Sequence, residues 1–389
     1  MRNLTYLDYN ATAPVRPEVI EAMRAVLEGT GNPSSVHRYG REARRALEHA
    51  RALVATMVGA VPAQVVFTSG GTEANNQALR SARGAVVVSA IEHDSVLAAV
   101  PEAARVPVDE EGRIDMRAFE QALVRAAPEL VSIMLANNET GVIQPVREAV
   151  EVARRHGARV HCDAVQAGGK LAIDMTALGV DLLTLSAHKF GGPQGVGALV
   201  VREGLEPEPL LCGGGQERRW RAGTENLPGI VGFGRACELA MADADWGQRT
   251  RALRDRLEAR IDALAPAARV FGRDAERLPN TSCLAMPGVG KETQLIAFDL
   301  AGIAVSTGSA CSSGKVGPSH VLAAMGIDPE DAASAIRVSL GWASDDDDVD
   351  RFADAWGRLY VRTRRPEPEV VARPARGRRL LLRAGSRHK

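Results

Sequence analysis

The chemistry in this 389-residue chain starts from a lysine and an acid, each placed at the end of an apolar run. Asp181-Leu-Leu-Thr-Leu-Ser186 reads as a buried strand, and His188, Lys189, Gly191 and Gly192 follow it. A lysine held at such an end suits Schiff-base chemistry, because desolvation disfavours its charged form. A surface lysine in a turn would look the same on this segment alone. Arg159-Val-His-Cys-Asp163 is the preceding strand, with an acid at its carboxyl end. A helical crossover, roughly 169–178, would make the two strands parallel neighbours with Asp163 and Lys189 on one sheet edge. Pyridoxal phosphate needs this pair: a lysine for its aldehyde and a carboxylate that keeps its ring nitrogen protonated. A metal cluster of His161, Cys162 and Asp163 is disfavoured, because successive strand residues alternate faces.

A phosphate-bearing cofactor also needs a cup of donors. Thr68-Ser-Gly-Gly71-Thr72-Glu73 leads from a strand through glycines into a helix. A helix start supplies free N–H groups and the positive end of a dipole. The Gly-Lys-Ser/Thr ending of a nucleotide loop is absent, and so is Gly-x-Gly-x-x-Gly after a strand. His93 follows another strand, where an imidazole can lie over a ring and relay protons. Asn137-Asn138-Glu139 ends yet another, and a long glycine-rich polar loop runs from Gly213 to Thr224. Ser309-Ala-Cys311-Ser-Ser-Gly sets one thiol among small residues, which suits a nucleophile that must travel. In Ala335-Ile-Arg-Val-Ser-Leu340, Ile336, Val338 and Leu340 share a face and Arg337 takes the other. Turned inward, its guanidinium can grip a carboxylate bidentately; a surface ion pair fits the pattern equally well.

These residues need a scaffold of alternating elements. Strand-like runs at 64–68, 85–89, 130–136, 159–163, 181–186 and 197–201 alternate with helical stretches such as 118–127 and 146–156. That alternation predicts an α/β fold with a mostly parallel sheet covered on both faces, its ligand beyond the carboxyl ends of the strands. The second half reads as a smaller α+β domain: a long helix at 246–264, strands at 281–286, 303–307 and 335–340, and a helix near 293–300. Ser344 before Asp345–Asp348 predicts a capped helix start. The expected division is a large domain over 14–246, a small domain formed by 1–13 with 247–360, and a separate tail. Residues 361–389 carry ten Arg or Lys against two Glu, a formal charge of +8 in a chain whose net charge is +0. That tail suits a solvated end, or a docking arm for an acidic partner or RNA. The overall balance gives no pull toward nucleic acid or an anionic membrane. No apolar run approaches bilayer length, and no secretory signal is recognisable at the start, so a cytoplasmic setting is expected. The five cysteines are widely spaced without Cys-x-x-Cys, which argues against a disulfide framework or structural zinc.

Taken together and in order, the motifs resemble the cysteine desulfurases, fold-type I pyridoxal-phosphate enzymes of the class V aminotransferase group. The likeness runs from Tyr6-Leu-Asp-Tyr-Asn-Ala-Thr-Ala-Pro14 to about Trp342. It rests on Thr68–Glu73, Glu92-His93, Asn137–Glu139, Asp163 with Gln166, Ser186–Lys189 and Ser309–Cys311. The cysteine loop is similar to that of the branch serving iron–sulfur assembly, including the nitrogen-fixation type. The resemblance implies that Lys189 holds the cofactor and that Asp163 meets its ring nitrogen. Gln166 would meet its phenolic oxygen, and His93 would stack on the ring. Gly71, Thr72, Ser186 and His188 would hold the phosphate, joined by Thr224 of a neighbouring subunit in a homodimer with shared sites. Asn138 and Arg337 would place the carboxylate of L-cysteine. Cys311 would take the sulfur as a persulfide, releasing L-alanine, and pass it to an acceptor such as an iron–sulfur scaffold. No resident metal is implied, although Cys311 could transiently meet an iron–sulfur cluster. A selenocysteine lyase, a transaminase or a silent binding protein on the same fold are the rivals. The cysteine loop speaks against a transaminase. Retention of Lys189, Asp163 and Cys311 together speaks against a silent protein.

Overall fold

A computed structural model describes residues 4–308 and 318–364. Its strands, in chain order, are β1 (Thr5–Tyr6), β2 (Val65–Thr68), β3 (Val86–Ser89), β4 (Ala104–Val106), β5 (Leu130–Ser132), β6 (Arg159–Asp163), β7 (Leu182–Ser186), β8 (Gly197–Val201), β9 (Arg269–Phe271), β10 (Thr281–Ala285), β11 (Ile303–Ala304) and β12 (Ala335–Ser339). The runs rich in Val and Leu are buried along their length in β2, β5, β7 and β8. Strands with no polar face must be covered on both sides, which is how parallel sheets are built.

The large sheet has seven strands in the order β2-β8-β7-β6-β5-β3-β4. Only β8 runs against the others, pairing antiparallel with both β2 and β7. The remaining neighbours pair in parallel. β6 and β7 are adjacent with Asp163 opposite Thr184, so both strands deliver their last residues to one edge. The link between them differs from expectation. It is mostly turn, with helix only at Met175–Leu178, because Gly168 and Gly169 open it and Gly179 closes it in the left-handed region. Helices Arg38–Met57 and Leu227–Ala242 cover one face around Leu47, Val54 and Phe233.

A three-stranded antiparallel sheet, β12-β10-β9, carries the second half. Helices Trp246–Leu264 and Asp346–Arg364 pack a separate apolar cluster with Ile336, Val338 and Leu340, the three residues expected to share a face. β1 pairs in parallel with β11 and brings the start of the chain alongside this sheet. The start of the last helix corrects the expected cap. The Ser344 hydroxyl accepts from Gly341 N–H, and the Asp345 carboxylate caps by accepting from Asp348 N–H at 3.0 Å. Among the described residues, no helix is long and apolar enough to cross a membrane.

Candidate active site

The edge shared by β6 and β7 opens into a cavity of about 400 Å³ lined by Asp163 and Lys189. Asp163 is 5% exposed. Its Oδ2 accepts from Asn75 Nδ2 at 2.7 Å and its Oδ1 from Val165 N–H at 2.9 Å. Carboxylate oxygens have two lone pairs each, so capacity remains for a donor inside the cavity. Lys189 Nζ donates to the carbonyls of Asn10 at 2.8 Å and Ala11 at 2.9 Å. Gln166 lines the same wall and donates from Nε2 to the Asn10 carbonyl at 2.9 Å.

Donors gather at another part of the cavity. Gly71 and Thr72 begin helix Gly71–Arg80 close to Ser186, the last residue of β7. A Cβ on Gly71 would stand 2.8 Å from Val165 Cγ2. Only glycine lets the helix start, with its free N–H groups, press this closely on the strand ends. His188 Nδ1 lies 3.2 Å from Thr12 Oγ1. Burial, with Lys189 and Lys170 nearby, pushes His188 down to about 4, so its ring is neutral at pH 7.

His93 also lines the cavity and caps the short helix Asp94–Leu97. Ser95 N–H donates to its Nδ1 at 3.1 Å, and Ser95 Oγ lies 2.8 Å away. A backbone N–H can only donate, so the neutral ring carries its proton on Nε2. Arg337 resolves the two readings of its strand. It does form an ion pair, Nη2 to Asp8 Oδ1 at 2.7 Å, but at 3% exposure it lies inside the cavity wall. Its Nη1 donates to the Asn138 carbonyl at 2.9 Å, while its buried Nε has no partner.

Ten residues singled out from the sequence therefore line one cavity: Gly71, Thr72, His93, Asn138, Asp163, Gln166, Ser186, His188, Lys189 and Arg337. Thr224 does not join them. It is exposed, in a separate recess with Thr68, Ser69 and Glu217. Cys311 lies outside the described residues; Gly308, the last described residue before that segment, lines the cavity. Sequence reasoning missed Asn10, Asn75 and Ser95 as wall residues and Lys170 behind them. Asn75 carries no distinctive signal in the run Ala74-Asn75-Asn76-Gln77, although the fold leaves it 1% exposed. Cys162 turns into the apolar core, and no group of three or more metal-ligating side chains occurs among the described residues.

The donor set fits pyridoxal phosphate. The two acceptor oxygens of Asp163 sit deep, a helix start with Ser186 and His188 can face a phosphate, and the primary amine of Lys189 lies in the wall. The buried Oδ1 of Asn75 and Nε of Arg337 are both orphaned, as expected of walls that meet a polar group.

The chain matches the family model for class-V aminotransferases over residues 5–352. A cysteine desulfurase of Cereibacter sphaeroides is 48% identical over 90% of this chain and 94% of its own length. The cysteine desulfurase IscS of Dictyoglomus turgidum is 42% identical over 95% of this chain and 97% of its own. The solved structure of a NifS-like protein from Rickettsia africae superposes with a TM-score of 0.86 at 35% identity, covering 92% of this chain and all of that one. The chain belongs to the class-V aminotransferases, and within them to the cysteine desulfurases. It is thus a pyridoxal-phosphate enzyme of fold type I.

Proposed function

We propose that this cavity takes L-cysteine, leaves its sulfur as a persulfide on Cys311, and releases L-alanine. The observation that carries the reading is the convergence of Lys189, Asp163 and Arg337 on one cavity beside Gly308, where the cysteine-bearing segment begins. Arg337 and Asn138 are placed to hold the substrate carboxylate, and the orphaned Nε of Arg337 is a ready donor. When bound, pyridoxal phosphate would supply the electron sink, with Asp163 meeting its ring nitrogen and Gln166 its phenolic oxygen. Gly71, Thr72, Ser186 and His188 would hold its phosphate, and His93, its proton on Nε2, would stack on the ring. Lys189 Nζ takes the Cα proton and later returns one to carbon. The Cys311 thiolate attacks the substrate sulfur, so that an S–S bond forms as the C–S bond breaks. The balance is closed: Cys311–SH and L-cysteine give Cys311–S–SH and L-alanine.

The same reading makes the enzyme a cytoplasmic homodimer with shared sites, with Thr224 serving the neighbouring subunit's phosphate. Its support is that Thr224 is exposed and turned away from its own chain's cavity. The acceptor is an iron–sulfur scaffold, supported by the likeness to IscS and NifS-like proteins. Residues 14–246 form the cofactor-binding domain, and 1–13 with 247–360 the domain that carries the cysteine; their separate sheets and cores support this. Cys311→Ser should abolish alanine release from L-cysteine while leaving the cofactor bound. Lys189→Ala should lose the cofactor adduct trapped by borohydride and weighed by mass spectrometry. Undiminished sulfide and alanine production by Cys311→Ser overturns the reading.

A further inference from the structure

Lys170 is a buried amine that the reaction above does not use. It lies one helical-type step beyond Gln166 and is 8% exposed. Its Nζ donates to two side-chain amides, to Asn10 Oδ1 at 2.8 Å and to Gln166 Oε1 at 2.9 Å. Shape alone does not choose an amide's orientation, since its oxygen and nitrogen ends are nearly isosteric, so the partners must; for Gln166 they are Lys170 at the oxygen and the Asn10 carbonyl at the nitrogen. A lysine amine in this setting offers donors, so each amide must turn its oxygen toward Nζ. Burial, with Lys189 and Arg337 nearby, pushes the Lys170 amine well below its ordinary range.

The consequence falls on the cavity. With its oxygen held by Lys170, the Gln166 amide must present its Nε2 end forward. One Nε2 hydrogen goes to the Asn10 carbonyl at 2.9 Å, and the second is left for the cavity. We propose that Lys170 is a positioning residue that fixes the orientation of the Gln166 amide, so that a donor and not an acceptor meets the cofactor's phenolic oxygen. Asn10 is oriented by several contacts together: its Oδ1 also accepts from Asn280 Nδ2 at 3.1 Å, and its Nδ2 donates to Thr281 Oγ1 at 2.9 Å and to the Asn138 carbonyl at 3.3 Å. Asn10 thereby ties this wall to β10 while its own carbonyl receives Lys189. The proposal rests on the reading above that Gln166 faces the phenolic oxygen.

The test is the pH midpoint at which the visible band of the bound cofactor changes, measured on the holoenzyme without substrate. A donor stabilises the phenolic oxygen as an anion, so losing it raises the site's proton affinity. Gln166→Ala should raise the midpoint by about one pH unit, a tenfold change in proton affinity. Lys170→Met should raise it in the same direction, because the released amide no longer keeps its donor forward. The double variant should add nothing to Gln166→Ala, because Lys170 acts only through that amide. Lys170→Gln, which keeps an N–H donor near Gln166 and tests the idea should the Met variant fold poorly, should return the midpoint part of the way. Additive shifts, or an unmoved midpoint in both Lys170 variants while Gln166→Ala moves, overturn the role of Lys170 and leave that of Gln166 standing. An unmoved midpoint in Gln166→Ala overturns both.

Discussion

Glu92, Ser132 and His161 form a buried polar chain behind the site. Glu92 Oε1 accepts from Met134 N–H at 2.6 Å, Ser132 Oγ lies 2.8 Å from His161 Nδ1, and His161 Nε2 lies 3.0 Å from Thr184 Oγ1. Burial first, then the nearby Asp163, pushes Glu92 up from 4.5 to about 8. Burial pushes His161 down from 6.5 to about 4, against a smaller upward pull from Asp163. Both groups are therefore neutral at pH 7, and their effects on stability have opposite signs. The Glu92 contribution is complete below 4.5 and is lost as pH rises through about 8. The His161 contribution is complete above 6.5 and is lost as pH falls through about 4. Stability of the apoprotein should peak between the two limbs, and Glu92→Gln should flatten the alkaline limb while sparing the acid one. Melting temperatures from pH 4 to 9 check this; an unchanged alkaline limb removes Glu92 as its cause. Residues with chemistry at a strand end, such as Asp163 and Lys189, were legible because the strands themselves were. Lys170, Asn10 and Asn75 were not, since their importance lies in which amide end faces which neighbour, and no spacing rule encodes that.

At the scale of elements, the glycine-rich loop is the most strained segment described. Glu217, Arg218 and Arg219 occupy the left-handed region in succession, with φ of 43°, 59° and 69°. Each such non-glycine residue costs roughly 1–2 kcal/mol. A buried fork offsets that cost: Arg51 meets both Glu217 oxygens, at 2.6 and 2.7 Å, with side chains 5% and 2% exposed. Glu217 also accepts from Phe67 N–H at 2.9 Å, so the loop is fastened to β2 and to helix Arg38–Met57 together. Removing one partner strands a buried charge, and Arg51→Ala should cost about 3–5 kcal/mol in urea denaturation. Arg51→Lys should recover little of it, since an ammonium cannot fork. A loss below about 1 kcal/mol would show that the loop holds itself. The loop's polarity was legible, but its anchor was not, because Arg51 lies 166 positions from Glu217 and reads as one more helix-surface cation. The strands fared better. The run read as 130–136 is a ladder only to Ser132, yet Ile133 and Leu135 N–H still bond to the carbonyls of His161 and Asp163 at 3.1 and 2.8 Å. Alternation cannot reveal where a ladder formally stops. Glycines at 168 and 169 likewise masked a turn as part of a helix.

At the scale of the whole molecule, the proposed shared sites make a direct prediction about mixed dimers. If Thr224 serves the neighbour, Lys189→Ala and Thr224→Val subunits are each inactive or weakened alone. Co-refolded in equal amounts, half the dimers are hybrids with one intact site, so about a quarter of wild-type activity should return. Failure to recover activity in isolated hybrids would place each site within one subunit. The change of pattern near Trp246 was legible, and the pairing of the chain's start with β11 was not. That pairing is non-local in the extreme: Thr5 lies against Ile303, Asp8 bridges to Ser339, and Asn10 N–H donates to Ser339 Oγ at 3.0 Å. During synthesis, Thr5 and Asp8 must wait for Ile303 and Ser339 to be made. The seven-stranded sheet can assemble from residues already made, as domains generally do during translation. The wall built by Asn10, Ala11 and Arg337 cannot. A chain that stalls or is clipped before β12 therefore holds Lys189 and Asp163 in place around an unfinished pocket. Synthesis of β12 itself decides when the site exists.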